Sequence, residues 1–181
     1  MKSAILAIIV AVIGMILYMS IRFQFSYSIA ANIALVHDVI VSMGIYFMLG
    51  GNLTLQVVAS ALTLIGYSVN DTIVTFDRQR ENLKLHQGAT YFEIVNMSVN
   101  QTLGRTILTS LSVFLILVSQ LLLGGSGIRD FIAVMLIGCI AGTYSSIFIS
   151  PLITAYWHKS NPGISDENTE DKEEVVEELD V

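Results

Sequence analysis

Four ionisable side chains stand where such groups are expensive. Asp38 lies in IALVHDVIVSMG and Asp71 in LIGYSVNDTIVTFDR; Arg105 heads the run RTILTSLSVFLILVSQLLL, and Asp130 immediately precedes FIAVMLIG. An ionised side chain near the centre of a bilayer costs about 2.5–3.5 kcal/mol on insertion scales, so such residues face a protein interior or water and are functional candidates by default. The chemistry open to them is the binding and release of protons. Desolvation favours the neutral form of a carboxyl group, and a nearby guanidinium favours the charged form. A geometric change that alters either influence therefore moves a proton. Asp71 is the first candidate, because Tyr67, Ser68, Asn70 and Thr72 surround it in an otherwise apolar segment. Tyr67 and Asp71, four residues apart, share one face of a helix. Asp71 lies five residues before Phe76, about 8 Å along a helix axis, and Arg105 opens the next apolar segment on the same side. An Asp71–Arg105 pair is therefore expected, and it would serve as a proton switch or as a static architectural clamp. Asp38, beside His37, is a further candidate; Asp130 stands at a segment boundary, where an interfacial role is equally open.

The elements that must carry these residues are membrane spans. Of the 181 residues 54% are hydrophobic and 13% charged, against about 25% charged in a soluble domain. Five apolar segments have the roughly 17–25 residues a spanning helix needs: 4–21, 28–49, 53–76, 106–123 and 131–156. The expected fold is an all-α integral membrane bundle of about five helices occupying residues 1–159. The first segment is too long for a signal-peptide core, and no A-x-A cleavage site follows it. Gly138-x-x-x-Gly142 is a close-approach motif for helix pairs, and Gly66 and Ser60 are expected to serve packing in the third span. Cys139 is the only cysteine; it has no partner for an intrachain disulfide and reads as a small hydrophobe in a helix interface. No phosphate-binding loop, nucleophile elbow or metal-spaced His/Cys cluster occurs, so neither a cofactor nor a metal nor bond-breaking catalysis is expected.

Charge orients the bundle. Arg22, Arg78, Arg80, Lys84, Arg105 and Lys159 fall on one side of the spans, Lys2 and Arg129 on the other, which predicts a cytoplasmic location for the first side and for the C-terminus. The first helix then starts outside, which predicts a further segment upstream. Residues 77–105 form the one long connection, expected to hold a short surface helix opened by a capping box at Thr90–Glu93. The net charge of −6 resides in the tail: residues 166–180 hold nine Asp or Glu against one Lys. Residues 160–181 are expected to be a disordered acidic tail, and the acidity implies no nucleic-acid partner.

The segments ALVHDV (34–39), LTLIGYSVNDTIVTFDRQREN (62–82), NQTLGRTILTS (100–110) and GTYSSIFISPL (142–152) together resemble the SecF family, whose members form the smaller half of the SecDF protein-export complex. GYS-x-ND-T followed by FDR-x-REN is the most specific of these, and the resemblance spans nearly all of residues 4–157. It implies a resistance-nodulation-division membrane fold of six helices, of which this chain matches the second to the sixth; the first helix and the external domain after it have no counterpart here. It also implies a place in the bacterial or archaeal cytoplasmic membrane, with a SecD subunit or SecD half as partner, the SecYEG channel and the translocating preprotein as further partners, and protons as the driving ion. Asp71 and Arg105 match the proposed proton-relay region of the family; Asp38 lies in its HDV motif, and Asp130 stands near another acidic position. Two other classes remain open: a proton-coupled exporter of lipids or small molecules from the same superfamily, and a non-transporting scaffold subunit.

Overall fold

The computed structural model describes residues 2–23, 25–86 and 88–160, and all the regular structure among them is helical. The expected acidic tail therefore falls, from residue 161 on, outside the described residues. Helix α1 covers Lys2–Arg22, α2 Phe25–Met48, α3 Leu55–Leu85 and α4 Tyr91–Leu123. A single 3-10 turn, Ser126–Ile128, leads into α5, Arg129–Tyr144; a five-residue π-turn, Ser145–Ile149, joins α5 to α6, Ser150–Ser160.

Four stretches are long and apolar enough to cross a membrane: α2, α3, α4 and the composite Ser126–Lys159; α1 adds a shorter apolar helix over Val10–Arg22. The expected all-α bundle is thus observed, with the last span built from two helices and a π-turn. Pro151 accounts for the break. It has no N–H to donate to the carbonyl four residues back, and helices containing such a residue kink or shift register.

The long connection expected over residues 77–105 is not a connection. Helix α3 runs to Leu85 and α4 begins at Tyr91, so only residues 86–90 join them. Apolarity ends at Phe76, whereas the segment RQRENLK after Asp77 consists mostly of good helix formers with no Gly or Pro. An Arg78–Glu81 ion pair at i, i+3 (2.5 Å) adds to it. The helix continues into water, and Asp77–Arg78 lies well inside it rather than at its end. The capping box is present: the Thr90 side chain accepts from the Glu93 N–H, and the Glu93 carboxylate accepts from the Thr90 N–H. It opens α4 itself, not a separate short helix. At 31 and 33 residues, α3 and α4 are about 46 and 50 Å long, well beyond the roughly 30 Å hydrocarbon layer.

Helix α3 is the axis of the bundle. Met19 and Phe23 of the α1 end, Tyr27 and Leu35 of α2, and Ile65, Val69 and Phe76 of α3 form one apolar cluster. Leu64 of α3, Leu117 of α4 and Ile132, Met135 and Cys139 of α5 form a second. The closest approach is between α3 and α5. A Cβ added at Gly138 would stand 2.6 Å from the Leu64 methyls, and one at Gly142 would meet the Ser68 side chain at 3.4 Å. The expected close-approach motif thus seats α5 on α3. Gly66 does not join it: the residue is exposed, and a Cβ there would meet nothing within 4 Å. Ser60 is fully buried and donates to the Val57 carbonyl (2.8 Å).

The end of the bundle that carries the α3–α4 turn is laced by polar contacts. Arg22 pairs with Asp77 (3.5 Å). His158 stacks on Tyr91 at 3.9 Å, and the Tyr91 hydroxyl donates to that of Tyr27 (2.9 Å). Asn82, fully buried, donates to Ser98 Oγ and Gln101 Oε1, both at 2.8 Å. Residues of the FDR-x-REN segment thus tie α3 to α1 and to α4.

Candidate functional site

Two buried carboxylates lie on adjacent faces of α3. Asp71 belongs to the first, formed by α3, α4 and α5. It is 5% exposed and accepts two long hydrogen bonds from α4, from Thr109 Oγ1 and Ser110 Oγ, each at 3.5 Å. Ser110 Oγ in turn accepts from the Tyr67 hydroxyl (3.1 Å) and from Thr143 Oγ1 of α5 (2.8 Å). A hydroxyl that accepts on one side and donates on the other is a relay unit, so Tyr67, Ser110 and Asp71 form a continuous donor–acceptor chain. Cys139 is buried beside it, its thiol within 3.5 Å of the Tyr67 hydroxyl, which is the interface position expected of it.

Arg105 is on α4, one turn before Thr109, with an exposed side chain. Among the described residues the ion pairs are Arg22–Asp77, His37–Asp38 and Arg78–Glu81; the expected Asp71–Arg105 pair is not formed. The two residues do lie on facing helices within one turn of each other's level. Arg105 lies four residues before Thr109 and so on nearly the same face of α4; its exposed side chain makes no ion pair with Asp71, whose hydrogen bonds come from Thr109 and Ser110. Asn70 is likewise exposed and takes no part in the network.

The second carboxylate, Asp38, is enclosed completely, at 0% exposure. Its Oδ2 accepts from Ser68 Oγ of α3 (2.5 Å) and from Ser145 Oγ of the π-turn (2.7 Å), and its Oδ1 lies 3.0 Å from His37 Nδ1. Burying an unpaired carboxylate costs several kcal/mol, and these short bonds offset that cost where those at Asp71 are long. Gly142 borders the site, its Cβ position standing at ordinary contact distance, 3.6 Å, from Asp38 Oδ2. Asp130 is elsewhere, half-buried in the first turn of α5 at the far end of the bundle, where it accepts from Thr54 Oγ1, the N-cap of α3 (3.3 Å). An acidic residue in the first turn also suits the helix dipole.

Sequence reasoning passed over Ser110, Thr109, Thr143 and Ser145, which supply most of these bonds. The only available signal was a hydroxyl in an apolar span. That signal is weak, because such hydroxyls commonly return to their own helix, as Ser112 does to the Leu108 carbonyl (2.8 Å).

Residues 1–160 match the family described as protein export membrane protein SecD/SecF, C-terminal. The chain is 47% identical over 156 residues to the protein translocase subunit SecF of Koribacter versatilis, covering 86% of this chain and 39% of that protein. It is 41% identical over 156 residues to the protein translocase subunit SecDF of Thermus thermophilus, covering 86% of this chain and 21% of that one. Among solved structures, it superposes on SecDF in the super-membrane-facing form with a TM-score of 0.83 and 38% identity, over 92% of this chain and 23% of that one. The chain thus spans less than half the length of these relatives.

Proposed function

The chain belongs to the SecD/SecF C-terminal family of protein-export membrane proteins, and from that premise we propose that it forms the proton-coupled membrane part of a SecF-type translocase subunit. In this reading it acts with a SecD partner in the cytoplasmic membrane, and proton flow promotes passage of a preprotein through the SecYEG channel. No bond is broken in the work; the product is a conformational change. The positively charged end, with the α3–α4 turn and the α6 C-terminus, faces the cytoplasm.

The observation that carries the reading is Asp71, a buried carboxyl group reached by the Tyr67–Ser110 chain with Arg105 one turn away. Ionised, Asp71 attracts the Arg105 guanidinium and draws its side chain, one turn along α4 from Thr109, toward the carboxylate. Protonated, it needs only the two hydroxyl bonds now seen and leaves Arg105 outside. The energy is adequate: one charge crossing 100 mV is worth about 2.3 kcal/mol, so a few protons bias a change of several kcal/mol. The remaining candidates have smaller parts, Asn70 and Gly66 on an exposed face of α3 and Asp130 at the far end.

The test is Asp71→Asn in the full-length translocase, reconstituted with its channel. Proton-gradient stimulation of export is expected to vanish while the complex assembles normally. Undiminished stimulation would sink the proposal. Failure to assemble would instead mark Asp71 as a scaffold residue, and export of a lipid or small molecule in place of preprotein would reassign the cargo.

A further inference from the structure

The Asp38 carboxylate is fully enclosed, and the proposed role of Asp71 makes no use of it. Its three partners come from three elements: His37 from α2, Ser68 from α3 and Ser145 from the π-turn. One of them is not free to go elsewhere at equal cost. Ser68 Oγ is fully buried, with Asp38 as its hydrogen-bond acceptor. Ser145 differs, because its Oγ is also 3.1 Å from the Gly142 carbonyl, three residues back. A serine has one hydroxyl hydrogen. It can point at Asp38 Oδ2 or at Gly142 O, and the charge on Asp38 decides which. An ionised carboxylate is roughly twice as strong an acceptor as a neutral one.

From this geometry we infer that Asp38 is a second proton-binding site, separate from Asp71, and that its protonation state sets the hydrogen-bonding of the π-turn between α5 and α6. The proton reaches it through His37, the one partner with exposed surface (33% of its side chain). His37 takes a proton on Nε2 and passes the one on Nδ1 to Asp38 Oδ1, which leaves the ring neutral and the carboxyl protonated. Oδ2 then carries no charge, and the Ser145 hydrogen turns to Gly142 O. The π-turn is held across to α2 in the ionised state and folds its serine back on its own helix in the neutral state. π-Turns are recurrent at functional sites because their register is easily shifted.

No other charge competes at the site. Asp71, one turn along α3 from Ser68, faces α4 through Thr109 and Ser110. Facing α2 from α5 and the π-turn are the uncharged Gly142 and Ser145. Arg22 of α1 pairs with Asp77, while His158 and Lys159 of α6 lie at its far end, His158 stacked on Tyr91.

The test is infrared difference spectroscopy across pH steps on the full-length protein in liposomes, where a protonated carboxyl group gives its own carbonyl band. Asp38→Asn is expected to remove one such band, and Asp71→Asn a different one, so the two sites are scored independently and failure at Asp71 leaves Asp38 unaffected. Ser145→Ala keeps the Asp38 band but shifts its frequency and its pH midpoint. A spectrum in which Asp38→Asn removes no band overturns the inference. Should Asp38→Asn fail to fold, the Ser145→Ala spectrum decides in its place: a shifted band supports the site, and unchanged bands refute it.

Discussion

Gly138 of α5 faces Leu64 of α3 so closely that a Cβ on the glycine would lie 2.6 Å from both Leu64 methyl carbons. Leu64 is fully buried and has little room to yield. Gly138→Ala is therefore expected to destabilise the bundle: overpacking costs about 1–3 kcal/mol, which outweighs the gain of about 1 kcal/mol in helix propensity. Gly66→Ala, with open space around it, keeps that gain. Thermal unfolding of both variants in detergent reads the difference, and equal effects would refute the packing role of Gly138.

Ser110 stands between Tyr67 and Asp71. Removing the middle or the outer link of the chain, by Ser110→Ala or Tyr67→Phe, is expected to slow proton-driven export several-fold. Because both act on one chain, the double variant should be little worse than either single one, a coupling of about 0.5–3 kcal/mol. A double-mutant cycle on export rates measures it, and additive losses would mean that the two hydroxyls act separately.

Arg105 is exposed, so Arg105→Gln should leave thermal stability within about 0.5 kcal/mol of the parent. Export driven by the proton gradient should nevertheless be lost, since no cation then answers the ionised Asp71. The two measurements on one variant separate a working cation from a structural one.

Asn82 joins α3 to α4 through Ser98 and Gln101. Asn82→Ala removes both bonds, at an expected cost of about 0.5–1.5 kcal/mol each; Ser98 Oγ keeps its bond to the Ile94 carbonyl and the exposed Gln101 its bond from Arg78. The loss should appear in denaturant unfolding and in faster amide exchange at the α3–α4 end.

The Thr90 cap is an independent, local contribution. Thr90→Ala is expected to cost about 1 kcal/mol, with Thr90→Ser nearly neutral. Proteolysis near residues 86–90 should rise in the alanine variant only.

The amino-acid sequence by itself determined the class of the protein, the location of its costly charges and the capping box at Thr90–Glu93, though not that this box opens α4. These are local properties: apolar length decides what enters a membrane, and a capping box needs only Thr90 and Glu93. It ended the third span at Phe76, whereas the helix runs on to Leu85, because hydropathy reports solvent and helix propensity reports backbone. The tertiary structure alone decided which hydroxyls serve which carboxylate. Ser145 reaches Asp38 across 107 positions of sequence, and in sequence nothing distinguishes it from Ser112, which bonds its own helix. The tertiary structure also leaves Arg105 exposed and not ion-paired with Asp71, although depth along the axis had suggested that pairing. The π-turn before Pro151 made the last span two helices. Ser145, the first residue of that turn, continues the face of α5 that carries Gly138 and Gly142, and from there it reaches Asp38.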